Sequence, residues 1–155
     1  MNGSVAIGCD HGGFAIKRHL GEWLGAKGFE VRDVGCYSDE STDYPDYARL
    51  VAEAVAGGEV EAGILICTTG IGMSIAANKV PGVRAGLACD AERAELTRRH
   101  NGANVLCMGG GYVDEKEAEN IALAFLESDF EGNDAGKERH RRRVGKIKDI
   151  EEKYK

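Results

Sequence analysis

The run Gly63-Ile64-Leu65-Ile66-Cys67 constrains the fold more than any other segment of this chain. It is continuously apolar, of strand length, and shows no alternation of polar and apolar residues. A half-exposed strand would alternate, so this one suits the centre of a parallel sheet, buried on both faces. Such a strand needs helices above and below it, and the flanking sequence supplies them. Val5-Ala6-Ile7 reads as a first strand ending at Gly8. Phe14, Ile16, Leu20, Trp23 and Leu24 recur at helical spacing until Gly28. Glu30 to Val34 reads as an edge-like strand, followed by a polar loop from Gly35 to about Pro45. Leu50, Val51, Ala54 and Val55 mark a helix that stops at Gly57-Gly58.

The same alternation continues after the central run. Thr68-Thr69-Gly70-Ile71-Gly72 leads into a short helix through Lys79, and Pro81-Gly82 turns the chain. Arg84 to Ala88 reads as a fourth strand, Ala91 to His100 as a helix, and Val105 to Met108 as a fifth strand. A helix is expected over residues 114–127, with Ile121, Ala122, Phe125 and Leu126 on one face. A Gly-rich hinge from Glu131 to Gly136 then precedes a basic helix from about residue 137. These elements predict an α/β fold: a single-domain, doubly wound, Rossmann-like five-stranded parallel sheet with helices on both faces, spanning residues 1–155. A chain of 155 residues suits one compact domain and leaves no room for a separate substrate domain.

Charge and cysteine usage narrow the function classes. The formal net charge of −6 argues against a general nucleic-acid binder. The charge is uneven, however. Arg139, His140, Arg141, Arg142, Arg143, Lys146 and Lys148 cluster near the C-terminus, either as a site for a small anion or acidic surface or as a solvated helix face. The N-terminus has no basic segment leading into a long apolar core, so no signal peptide is expected. No apolar run approaches the roughly 18 residues of a membrane span. The cysteines (Cys9, Cys36, Cys67, Cys89 and Cys107) are odd in number and lack CxxC spacing. They fit reduced thiols in the cytoplasm better than a disulfide framework or a zinc site.

In a doubly wound sheet, ligands bind beyond the carboxyl ends of the strands. That rule selects Asp10-His11, Cys67 to Gly72, Cys89-Asp90 and Gly109 to Gly111. Cys67 ends the most apolar strand and faces a loop in which Gly70 and Gly72 can turn backbone N–H groups inward at a helix start. Such a nest favours an anion and would stabilise a thiolate. A thiolate there can take a proton from carbon, and the nest can hold the enediolate that results. The bland alternative is a small core residue, the usual fate of a free cysteine. Asp10 and His11 suit sugar hydroxyls or phosphate, or Asp10 simply caps the helix beginning near Gly12. His100-Asn101 could close a helix before Gly102, or His100 could serve as the acid/base that opens a sugar ring. A dinucleotide fingerprint is a rival, because Gly70-x-Gly72 opens a helix after a strand and Asp90 follows about 20 residues on. Its third glycine is missing, with Ile75 in that place.

The segment from Gly63 to Lys79 closely resembles the active-site segment of the ribose-5-phosphate isomerase B branch of the ribose/galactose isomerase family. The resemblance extends to Gly8-Cys9-Asp10-His11-Gly12-Gly13, to Thr42-Asp43-Tyr44-Pro45, to Arg99-His100-Asn101 with Asn104-Val105, and to Arg139-His140 with Arg143-Val144. It implies an aldose–ketose isomerase with ribose 5-phosphate and ribulose 5-phosphate as the leading pair. By this likeness Cys67 is the base that moves a proton between C1 and C2, Thr69 and His100 open the ring, and Asp10 contacts sugar hydroxyls. The amides of Gly70, Ile71 and Gly72 match the enediolate hole. His11, Arg139 and Arg143 match phosphate ligands, while Tyr44, Ser74 and Asn101 complete the substrate-binding set. The likeness further implies a homodimer or tetramer with shared active sites, His100 and Asn101 crossing the interface, a small sugar phosphate as the only other partner, and neither metal nor organic cofactor.

Met73 stands where a sister group carries a glutamate base, and a thioether cannot take a proton, which places this chain with the cysteine users. Three departures fall elsewhere: Thr68 in place of a usual Gly, Gly111 in place of a common phosphate-binding Arg, and a lengthened segment from Gly132 to Glu138. Two alternatives remain in view. One keeps the chemistry with another aldose (allose 6-phosphate, galactose 6-phosphate or a free sugar). The other is a nucleotide- or sugar-phosphate-binding module without catalysis.

Overall fold

A computed structural model describes residues 3–155; Met1 and Asn2, which open the segment read as lacking a signal peptide, lie outside the described residues. Five parallel strands form one sheet: β1 (Ser4–Cys9), β2 (Glu30–Asp33), β3 (Ala62–Cys67), β4 (Ala85–Leu87) and β5 (Val105–Gly109), in the order β2-β1-β3-β5-β4. The apolar run is therefore the central strand, and Glu30–Asp33 is an edge, as their compositions imply. Side chains alternate across the sheet with period two. Ile64 and Ile66 of β3 join Val5, Ile7, Leu106 and Met108 on one face, while Leu65 and Cys67 join Ala6, Val105 and Cys107 on the other.

The helices are α1 (Phe14–Ala26), α2 (Tyr44–Ala56), α3 (Ile71–Ala77), α4 (Ala91–Asn101), α5 (Glu115–Leu126) and α6 (Glu138–Lys153). Ile16, Leu20 and Leu24 of α1, Ala94 of α4, and Ile121 and Phe125 of α5 cover the first face. Val51, Val55, Met73 and Ala77 of α2 and α3 cover the second. The parallel ladder and its helices on both faces are the predicted doubly wound architecture. Boundaries moved where short-range chemistry outweighed periodicity. α2 begins at Tyr44, inside the segment expected to be loop, because Pro45 sits in its first turn, where a missing N–H costs nothing. α4 ends at Gly102, whose φ of 57° places it in the left-handed region that closes a helix. α5 opens with a capping box between Asp114 and Glu117. Among the described residues, no helix is long and apolar enough to cross a membrane.

The most deeply buried charge among the described residues is a lysine. Lys17 on α1 is 2% exposed, and its ammonium donates to both Asp33 oxygens, at 2.8 and 2.6 Å, and to the Cys36 carbonyl at 2.8 Å. These bonds fasten α1 to the end of β2. Removing one partner strands a buried charge, whereas removing both leaves packing largely intact. Asp33→Ala should therefore lower stability by about 3 kcal/mol in urea titrations, and Lys17→Met combined with Asp33→Ala should recover most of that loss. An additive double variant would show that the pair is not coupled.

Candidate active site

Three strand ends and one loop converge above the carboxyl edge of the sheet. β3 delivers Cys67, which is buried, and the chain then turns sharply into α3 at Gly70. Gly70 has φ of 76°, and a Cβ there would lie 2.7 Å from the Met108 carbonyl carbon, so only glycine makes this turn. The turn aims the Gly70 N–H at Cys67 Sγ, at 3.1 Å. Ile71 N–H donates to Thr69 Oγ1 at 3.2 Å. The amides of Gly72 and Met73 follow in the first turn of α3, where an N–H has no intrahelical acceptor. The loop thus holds one sulfur and a set of inward amides within one turn of chain.

β1 delivers Asp10, 7% exposed, and His11, which is exposed. The Asp10 carboxylate accepts from Gly12 N–H at 2.9 Å, so its capping role is present, and it caps a single 3₁₀ turn over His11–Gly13. His11 Nδ1 accepts from Thr42 N–H at 3.2 Å. The ring of Tyr44 then lies so close to Gly72 that a Cβ there would sit 2.7 Å from the Tyr44 Cζ. The Ser74 hydroxyl donates to the Ile71 carbonyl at 3.0 Å. Thr68 fills the space over Gly12 and its carbonyl accepts from Gly111 N–H at 3.0 Å, so two of the departures from the family pattern meet one another. A groove of about 490 Å³ opens alongside, lined by Thr69, Ile71, Leu87, Cys89, Arg93 and Tyr112 among others. On the far side of Cys67, burial pushes the Cys107 thiol well above its ordinary range, with Cys67 adding to the rise.

His100, Asn101, Arg139 and Arg143 are not part of this cluster. In a parallel α/β sheet each helix runs back from the carboxyl edge to the amino edge. α4 starts at Asp90, just past β4, and its last residues lie where Arg84 donates to the carbonyls of Asn101 and Gly102. Asn104 ties the same place to the amino end of β4 by accepting from Arg84 N–H at 2.8 Å. β5 separates this edge from Gly109, beside Cys67, by about 16 Å at roughly 3.3 Å per residue. Within one chain, His100 cannot meet Cys67.

The second cluster is ordered by residues outside the predicted site set. The His140 ring stacks on His100, with centroids 4.4 Å apart and planes 9° from parallel. His140 is buried, and its Nε2 has no partner. Burial pushes its pKa down, and the charges of Arg139, His100 and Arg143 push the same way. Glu131, 7% exposed, accepts from Lys137 and Arg99, tying α4 to the entry of α6. The segment read as a hinge is therefore a clamp: Lys137, in the lengthened stretch, folds back onto Glu131. An acid in a Gly-rich stretch carries no periodic signal, which is why Glu131 did not stand out. Ligand-type atoms of His100, Glu131 and His140 lie within 4.8 Å of one another. Stacked rings direct their lone pairs in parallel rather than toward one point, and two cations already occupy the carboxylate, so this is not a metal cage.

The Lys137 ammonium, followed by the Arg99 guanidinium, holds the Glu131 carboxyl down to about 2. A depressed carboxyl stabilises the fold above its ordinary value, 4.5, and that contribution disappears as the pH falls from there towards 2. Thermal melts between pH 5 and pH 2 should show the loss, and Glu131→Gln should flatten that part of the profile. An unchanged slope in Glu131→Gln would assign the acid sensitivity to other groups.

Comparison with known proteins gives these positions a context. Residues 5–147 match the family described as Ribose/Galactose Isomerase. The chain is 48% identical to ribose-5-phosphate isomerase B of Escherichia coli (strain K12) over 149 residues, covering 96% of this chain and 97% of that one. Its fold matches that of ribose-5-phosphate isomerase B of Clostridium thermocellum with a TM-score of 0.93 and 46% identity, covering 98% and 99% of the two chains. It also matches a Mycoplasma genitalium ribose-5-phosphate isomerase B with bound ribulose-5-phosphate, with a TM-score of 0.89, 42% identity and 96% of each chain covered. The match runs nearly end to end in each comparison, and the chain belongs to the ribose/galactose isomerase family.

Proposed function

We propose that this chain is an aldose–ketose isomerase that interconverts ribose 5-phosphate and ribulose 5-phosphate. The observation that carries the reading is the amide hydrogen bond to Cys67 Sγ at the head of the α3 loop. That N–H fixes the sulfur at the mouth of the loop, within reach of a sugar carbon, where a thiolate can act as a base. Cys67 takes the proton from C2 of the open-chain aldose. Negative charge develops on O1 and is met by the free amides of the first turn of α3, which are fixed before the reaction begins. The same thiol returns the proton to C1. Asp10, beside this loop, shuttles the hydroxyl proton between O2 and O1. Run backwards, the same steps convert the ketose to the aldose. The names of the relatives and the ribulose-5-phosphate in the M. genitalium structure support this substrate pair.

The working unit in this reading is at least a homodimer. Cys67, Thr69, Asp10, His11, Tyr44 and Ser74 sit at one edge of the sheet; His100, Asn101, Arg139 and Arg143 sit at the other. A second copy brings its own His100 to Thr69 for ring opening and its arginines to the phosphate beside His11. Arginine suits that end because its planar fork donates two hydrogen bonds to one phosphate. The free cysteines fit a cytoplasmic enzyme.

Cys67→Ala should lower kcat by at least about 10²-fold while leaving the fold intact, and should abolish exchange of the C2 proton in deuterated water. Exchange surviving in that variant would remove Cys67 from the role of base. No exchange in the unaltered protein would leave a sugar-phosphate-binding module. Mixing inactive Cys67→Ala and His100→Ala proteins under subunit exchange should restore partial activity, because one site of each mixed dimer then holds both native groups. No recovery despite proven exchange would count against a shared site.

A further inference from the structure

Two buried thiols take no part in this chemistry, and the fold sets them side by side. Cys9 ends β1, and Cys36 lies just past the end of β2. Cys9 N–H donates to the Gly35 carbonyl at 2.7 Å, and Cys36 N–H donates to the Cys9 carbonyl at 2.8 Å, extending the strand pairing to these residues. Their sulfurs lie 3.6 Å apart, and the two residues are 0% and 3% exposed. The Lys17 ammonium donates to the Cys36 carbonyl, placing a fixed positive charge against the pair. Cys36 also opens the loop to the surface, since Tyr37 beside it is 72% exposed.

The structure assigns Cys9 and Cys36 as a redox-active dithiol whose intramolecular disulfide switches the isomerase down. The oxidant class is a low-molecular-weight disulfide, RSSR. The Cys36 thiolate attacks one sulfur of RSSR, forming a mixed disulfide and releasing one RS⁻. Cys9 then attacks the Cys36 sulfur, forming the Cys9–Cys36 bond and releasing the second RS⁻. Each thiol gives up a proton, and the two electrons lost by the pair reduce RSSR to two RSH. Burial raises the Cys9 thiol pKa despite the nearby lysine, so the exchange is slow. Held together by two backbone hydrogen bonds, the pair nonetheless reacts at high effective concentration once the first sulfur is engaged.

Closing the bond would move parts of the site. A disulfide is about 2.05 Å long, so the sulfurs must approach by about 1.5 Å from their 3.6 Å separation. Cys9 is followed directly by Asp10 and His11. Cys36 leads into the loop whose Thr42 N–H holds His11 and whose Tyr44 lies on Gly72. Both anchors of the site's β1 side would shift together, and a displacement near 1 Å in a positioned site can cost about 10²-fold in rate. The loss of activity rests on the isomerase reading; the disulfide itself does not.

The test equilibrates the full chain in reduced and oxidised glutathione at rising ratios, blocks the remaining thiols, and maps disulfides by peptide mass. In parallel, kcat is measured on ribose 5-phosphate, with activity of the reduced protein established first. The expected result is a Cys9–Cys36 cross-linked peptide whose appearance tracks a fall in kcat of at least about tenfold, fully reversed by dithiothreitol. Cys36→Ser, which keeps the size of the side chain, and Cys36→Ala should both retain basal activity and lose this reversible inactivation. Glutathione on Cys67 or Cys89 would instead inactivate the Cys36 variants equally. The proposal is overturned if no Cys9–Cys36 peptide forms while Cys89 is modified, if it forms with kcat unchanged, or if inactivation persists in both variants.

Discussion

A parallel strand buried on both faces can carry no polar side chain along its length, and that constraint organises this molecule. β3 is buried at every residue from Ala62 to Cys67. Its neighbours β1 and β5 are buried likewise along most of their length. Unpaired polar groups are therefore expelled to the strand ends, where backbone amides also lack ladder partners. The carboxyl edge collects Asp10, Cys67 and the loop amides because the next helix begins there, with its N–H groups free. A thiol that would be inert in mid-strand, as Cys107 is, stands at Cys67 on the last residue of β3, where the chain turns into α3. Its amide partner comes from a turn that only Gly70 can make.

The same geometry accounts for the separation of the two clusters within one chain. βαβ connections return the chain to the amino edge before the next strand, so residues at helix ends lie a strand length away from residues at helix starts. His100 and the α6 arginines fall on the wrong edge for Cys67, whatever their side chains do. The stacked His100–His140 pair and the Glu131 clamp make that edge a shaped surface, with Glu131 joining α4 to α6 through opposite charges.

Two buried charges among the described residues stand at junctions between elements. Lys17 fastens α1 to the β2 end, and Glu131 fastens α4 to the α6 entry. In each case the partners satisfy the buried group closely enough to offset its desolvation. Both junctions border loops that reach the proposed site, so the cost of burial falls where orientation matters most.

Much of this was legible in the sequence. The apolar run that became β3, the edge character of Glu30 to Asp33, the helical spacing of α1 and α5, and the turn at Gly70 before a helix all follow from local pattern, whereas Gly72 lies within α3 and is confined by the distant Tyr44 ring. Local pattern works there because periodicity and turn chemistry act over a few residues. The early start of α2 at Tyr44 was missed because a proline in a first turn overrode a polar composition. The adjacency of Cys9 and Cys36, the burial of Glu131 and the stacking of His140 on His100 had no local signal. Each joins segments far apart in sequence and depends on strand order and register, which are set by the packing of the whole sheet. The sequence by itself determined which residue types stand at each strand end; tertiary structure alone decided which of those ends share an edge, because that depends on the direction in which each helix carries the chain back.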